Sequence, residues 1–285
     1  MRILVTGAEG LLGTALVAEA RSRGHELMGL GRGALDVTDA PAVRDALEAA
    51  GPDAVVHCAA YTAVDRAEAE PELARAVNRD GTRYVAEAAA GVGAGLVYVS
   101  TDYVFDGQKR SPYLPDDAPR PLSVYGRTKL EGEEAVRQAG GEALVVRTSW
   151  LYGPSSGFVP AILRRARAGQ ALHVVDDQRG RPTWAPHAAA ALLDLLESGA
   201  LGTWHVAGQG ECTWFELARE ALELEGLGVG LDPISTAEYG AAAPRPSYSV
   251  LDLEATEARI GRSLPHWRQG LRACLKADIA AAREA

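Results

Sequence analysis

Five short apolar or β-branched runs, RILVTG, HELMGL, DAVVHCAA, GLVYVS and EALVVRT, recur through the first half of the chain. Between them lie stretches rich in Ala, Leu, Glu and Arg, with apolar positions at helical spacing. Strands covered on both faces read as near-continuous apolar runs, so this alternation predicts an α/β fold, a doubly wound parallel sheet with crossover helices. The rhythm stops over residues 101–124, where Pro112, Pro115, Pro119 and Pro121 fall among several Asp; one long loop is expected there. Beyond residue 148 the pattern predicts a helix near 158–168, a strand at LHVV, a helix following Pro186 and a strand at GTWHVAG. Two more helices are expected, at TWFELAREALELEG and HWRQGLRACLKADIA. The expected organisation is a sheet domain over 1–148 and a smaller C-terminal lobe over 149–285. That lobe closes on the carboxyl edge of the sheet, and about 184–207 packs back onto the first domain.

With 47% hydrophobic residues in 285, the chain can bury a sizeable core. A net charge of −9 disfavours nucleic acid, so a phosphate-bearing ligand must be met by local donors. Cys58, Cys212 and Cys274 are odd in number and far apart, which fits a reducing compartment better than a disulfide framework. No export signal and no apolar run of membrane-spanning length is read, so a cytoplasmic protein is expected. The His and Cys residues show no ligand spacing, so no required protein-bound metal is expected. His57 and His205 read as core residues, and Trp204, Trp214 and Trp267 as packing anchors.

Chemistry enters first at ILVTGAEGLLGTAL, where Gly7, Gly10 and Gly13 lie between an expected strand and an expected helix. Such a turn places unpaired helix amides where a diphosphate can accept from them. At the end of the second strand, Gly31 and Arg32 stand where an acid would hold the adenosine ribose hydroxyls. Arg32 suits a 2′-phosphate if it is more than an ordinary exposed arginine, so NADPH is the expected cofactor, with NADH as a second donor.

The chain has 29 Lys and Arg, only three of them Lys, and one of the three is Lys129, four residues after Tyr125. That spacing on a helix puts both side chains on one face. A phenol titrates near ~10. A nearby ammonium is expected to lower that pKa and make Tyr125 a better general acid. Thr101 closes the fourth expected strand at the carboxyl edge, where open α/β sheets bind ligands, and can donate to a substrate carbonyl oxygen.

The G-x-x-G-x-x-G spacing, with this Thr, Tyr and Lys set, resembles the extended short-chain dehydrogenase/reductases, which have a Rossmann-type fold. The blocks CAAYTAVDRAEAEPELARAVN, STDYVFDG, VYGRTKLEGE, RTSWLYG, DDQRGRPT and RPSYSVLD, in this order, resemble the dTDP-4-dehydrorhamnose reductase family. The resemblance implies NAD(P)H-dependent reduction of the C4 ketone of dTDP-6-deoxy-L-lyxo-4-hexulose, with Thr101, Tyr125 and Lys129 catalytic. It implies cofactor contacts from Gly7, Gly10, Leu11, Leu12, Gly13, Arg32, Asp36, Val37, Ala59, Ala60, Tyr61, Tyr125 and Lys129. Thr62, Val64, Thr101, Asp102, Tyr103 and Trp150 would meet the dTDP-sugar, and Arg245 is a candidate for its diphosphate, because guanidinium forks suit phosphate. A homodimer is compatible with the resemblance. Asp102 is followed by Tyr103 and not Glu, unlike the Asp-Glu pair of sugar-nucleotide dehydratases. A related nucleotide-sugar reductase or epimerase is the alternative within this superfamily. The alternative from another class is a non-catalytic cofactor-binding subunit like the regulatory one of methionine adenosyltransferase.

Overall fold

The computed structural model describes residues 1–154 and 156–284. Its centre is a six-stranded sheet whose neighbours all pair in parallel. The strands are β1 (Arg2–Thr6), β2 (Glu26–Leu30), β3 (Ala54–His57), β4 (Gly95–Thr101), β5 (Ala143–Thr148) and a late one at Gly202–His205. The order across the sheet is Gly202–His205, β5, β4, β3, β1, β2. Because β2 and β3 flank β1 on opposite sides, the winding direction reverses at β1, which opens a crevice at the carboxyl ends of β1 and β3.

Alternate side chains along each strand supply two cores, as the two-residue period of a strand requires. Ile3, Val5, Val56, Val97, Leu144 and Val146 pack with α1 (Leu11–Ser22) and the helix Ala185–Glu197. Leu4, Val55, Leu96, Tyr98 and Val145 face the helices Ala40–Ala50, Thr82–Gly91 and Val124–Gln138. Both faces are therefore dry, which is why the runs in the sequence show so little polar alternation. Each fully buried Leu or Val in these layers is worth ~1.5–3 kcal/mol against exposure. Leu251, Leu253 and Leu264 also join the first of these cores, so the chain returns to the sheet near its end.

A third core lies apart. It gathers Ile162 and Leu163 of the helix Phe158–Arg167, Leu217 and Leu222 of the helix Trp214–Glu225, and Trp267 and Leu271 of the last helix. Strands Leu172–Val175 and Leu231–Ile234 pair in parallel beside it.

The stretch expected to be one loop opens instead with a 3-10 turn over Asp102–Val104, capped by the Thr101 hydroxyl, which accepts from the Tyr103 amide at 3.2 Å. Further on it is pinned to the C-terminal segment: Tyr113 N donates to the Val250 carbonyl at 2.8 Å, and Asp252 N to the Tyr113 carbonyl at 2.7 Å. No helix among the described residues is long and apolar enough to cross a membrane.

Candidate active site

The glycine turn has a steric reason at two positions. Gly7 has φ +65°, and a Cβ on it would lie 2.6 Å from the Ala59 amide nitrogen at the end of β3. A Cβ on Gly13 would lie 2.2 Å from the Gly7 carbonyl oxygen. Only backbone fits between β1, β3 and α1, and α1 begins at Leu11 with no side chain capping it. The first amides of a helix have no partner within it, so this end is suited to an anion.

From that turn runs a cleft of about 850 Å³, within the range of small-molecule and cofactor sites. Gly7, Gly10, Leu11, Leu12, Gly13, Arg32, Asp36, Val37, Ala59, Ala60 and Tyr61 line one part of it. Thr62, Val64, Thr101, Asp102, Tyr103, Tyr125, Lys129 and Trp150 line the rest. Of the residues expected from sequence, Arg245 alone is not part of its wall. Its guanidinium forks onto Asp65 at 2.8 and 3.0 Å and donates to the Ala243 carbonyl at 3.0 Å. Arg245 thus sits beside the cleft wall, its guanidinium held by the Asp65 carboxylate.

Ser123 starts the helix Val124–Gln138 by accepting from the Gly126 amide at 3.1 Å, which places Tyr125 and Lys129 in its first two turns. Gly126 and Gly132 let this helix settle on its neighbours, since a Cβ would lie 2.2 Å from the Tyr103 carbonyl oxygen or 2.3 Å from the Tyr98 hydroxyl. Lys129 is 3% exposed. Its ammonium donates to the Val99 carbonyl at 2.7 Å and lies 4.1 Å from the centre of the Tyr98 ring. A compact point charge fits this position, where the broad arginine fork would not.

Electrostatics departs from expectation at this pair. Burial pushes the Tyr125 phenol up to about 12, opposed by its hydrogen bond with Thr101 and reinforced by Asp102. Burial also draws Lys129 down to about 7, against the pull of Glu133 and Cys58. The net shift of the tyrosine is upward, because desolvation, which penalises a charged form, is the largest influence on each group. Burial therefore favours the neutral form of the Tyr125 phenol. Burial likewise raises Asp102 to about 7, against hydrogen bonds from Ser249 Oγ at 2.6 Å and Thr101 Oγ1 at 3.1 Å.

Three further residues contribute to this region. Asn78, in a π-helical turn Ala76–Gly81, accepts from Tyr61 N at 2.8 Å and donates to Thr128 Oγ1 at 3.0 Å, tying the cleft wall to the tyrosine helix. Glu133 is fully buried and accepts from Arg147 at 2.8 and 2.9 Å and from Ser100 at 2.6 Å, one turn beyond Lys129. Trp214, expected to be a packing anchor, lines the cleft and stacks on Trp150 with ring centres 3.5 Å apart and planes 6° apart. Trp150 has φ +47°, the one non-glycine residue in the left-handed region among those described. The DDQRGRPT block held a partial clue, because Gln178 accepts from Trp214 Nε1 at 3.1 Å.

Comparison with known proteins matches residues 1–279 to the family model described as RmlD substrate binding domain. A dTDP-4-dehydrorhamnose reductase of Sinorhizobium fredii is 42% identical over 95% of this chain and 96% of its own. A probable dTDP-4,6-dihydroxy-2-methyloxan-3-one 4-ketoreductase of Streptomyces antibioticus is 42% identical over 99% of this chain and 97% of its own. The crystal structure of a dTDP-4-dehydrorhamnose reductase from Bacillus anthracis, in complex with NADP, superposes with a TM-score of 0.93 at 36% identity. It covers 97% of this chain and 99% of that one.

Proposed function

The chain belongs to the RmlD substrate binding domain family, and from that premise we propose that it is an NAD(P)H-dependent oxidoreductase reducing the C4 ketone of dTDP-4-dehydro-L-rhamnose to dTDP-L-rhamnose. The relatives of comparable identity are named as reductases of 4-keto sugar nucleotides, and the site has the parts such a reaction needs. A dinucleotide fits the residues present: the turn leaves no room for side chains at Gly7 and Gly13, and the cleft runs unbroken from there to Tyr125. When bound, the reduced nicotinamide supplies the hydride to C4.

The protein's part is to bind, orient and supply a proton. On substrate binding the Thr101 hydroxyl turns its hydrogen from Asp102 to the ketone oxygen, which fixes that oxygen's distance from Tyr125. As charge develops on that oxygen, the Tyr125 hydroxyl releases its proton to it, and the alcohol forms. An alkoxide is a stronger base than a phenolate, so a phenol near 12 still gives up its proton downhill. Lys129 stabilises the phenolate left behind, most effectively below about pH 7, where it keeps its own proton.

The observation carrying this reading is the meeting of Thr101, Tyr125 and Lys129 in the same cleft as the glycine turn. The test is to give the purified protein the 4-keto sugar nucleotide with NADPH and follow loss of the reduced nicotinamide absorbance and formation of dTDP-L-rhamnose. Tyr125→Phe should lose turnover by roughly 10²–10⁴-fold while binding dinucleotide as before. Full activity in that variant, or dinucleotide binding by the parent with no sugar reduction, would defeat the proposal. The second outcome would instead favour a non-catalytic cofactor-binding subunit.

A further inference from the structure

β2 ends at Leu30, and the next position, where dinucleotide folds commonly carry an acid for the ribose hydroxyls, is Gly31. The space over Gly31 is nonetheless filled by a carboxylate. A Cβ placed on Gly31 would lie 2.2 Å from the carboxyl carbon of Glu9 and 2.4 Å from each of its oxygens. Glu9 belongs to the glycine turn, between Gly7 and Gly10, so its acid reaches this place from a different strand end.

Backbone packing fixes that approach. The Ala8 amide donates to the Leu30 carbonyl at 3.2 Å, and Gly29 passes so close that a Cβ on it would lie 3.0 Å from the Ala8 side chain. The turn is thereby held across the end of β2, with Glu9 over Gly31. Arg32 follows directly, and both Glu9 and Arg32 line the cleft with exposed side chains. Asp36 lies within the electrostatic reach of Arg32 and accepts from the Thr38 amide at 2.9 Å. One guanidinium thus shares this end of the cleft with two carboxylates.

We propose that Glu9 sets the dinucleotide preference: its carboxylate accepts from the 2′-hydroxyl of an unphosphorylated adenosine ribose and repels the 2′-phosphate that Arg32 attracts. The site then takes both NADH and NADPH, because the two side chains pull selectivity in opposite directions. The inference rests on the dinucleotide reading above. It predicts more than that reading does, because Arg32 alone would make the site strongly selective for NADPH.

Binding of NADPH and of NADH to the full-length protein, measured separately by titration calorimetry for the parent, Glu9→Gln, Glu9→Ala and Arg32→Ala, decides it. Removing the Glu9 charge should shift the NADPH-to-NADH affinity ratio toward NADPH on the order of tenfold, equivalent to about 1.4 kcal/mol for one exposed like-charge contact. Arg32→Ala should shift the ratio the other way by a similar factor. Added salt should shrink both shifts, since exposed charges are screened. A ratio within about twofold of the parent in both Glu9 variants would overturn the inference while leaving the dinucleotide reading intact. A parent that binds neither dinucleotide would remove both.

Discussion

The two ends of the cleft are built in different ways. At the glycine turn the wall is backbone, and its shape comes from what is absent: side chains at Gly7 and Gly13, where β1, β3 and α1 meet within 2.6 and 2.2 Å of any added carbon. At the far end the wall is a relay of side chains. Trp150 stacks on Trp214, Trp214 donates to Gln178, and Gln178 donates to Thr236 at 2.9 Å, joining parts of the chain far apart in sequence. A change at the first end meets backbone, whereas a change at the second meets other side chains. If the first end takes the dinucleotide and the second the sugar, as proposed, variation at the second is the simpler way to serve relatives named for different 4-keto sugars.

That contrast is open to attack by substitution. Gly13→Ala should have the largest effect, a loss of dinucleotide affinity on the order of a hundredfold or worse, because the clash is with a carbonyl oxygen and can be relieved only by moving α1. Titration with NADPH reads this directly, and near-parent affinity would show that the cradle is as adaptable as the lobe.

Trp214→Ala should cost about tenfold in KM for the sugar nucleotide and leave NADPH binding unchanged, since one aromatic stack is worth ~0.5–1.5 kcal/mol beyond its buried area. Trp214→Phe should recover most of it. If Trp214 acts through Trp150, the double variant should be little worse than Trp150→Ala alone, the non-additivity expected of touching residues. Fully additive losses would separate the two indoles and break the relay.

The smallest effect should be a displaced pH profile. Lys129, drawn down to about 7, loses its proton above that pH, so kcat should fall on the alkaline side. Glu133 pulls Lys129 upward, while His57 and Cys58 from the end of β3 and Tyr98 from β4 also face it. Glu133→Gln should therefore move the alkaline limb to lower pH, on the order of half a unit. A limb that stays in place, with dinucleotide affinity unchanged, would place Glu133 in the scaffold only.

Much of the cradle was legible in the sequence. The five apolar runs became β1 to β5 in parallel, and the interval of four between Tyr125 and Lys129 became two side chains on one cleft wall, since a helix fixes that relation by its own geometry. The relay at the sugar end was not legible, because Trp214 and Trp150 are 64 positions apart and no periodicity links them. Arg245 shows the same limit: its ion-pair partner, Asp65, is 180 positions away.

The sequence by itself determined the order of strands and helices, the glycine turn and the sharing of one helix face by Tyr125 and Lys129, all of which depend on neighbours within a few residues. Only the tertiary structure decided the burial of Tyr125 and Lys129, the ion pair of Arg245 with Asp65 and the carboxylate of Glu9 over Gly31. These depend on how much water is excluded and on which distant charges are brought near, and neither quantity exists until the chain has packed.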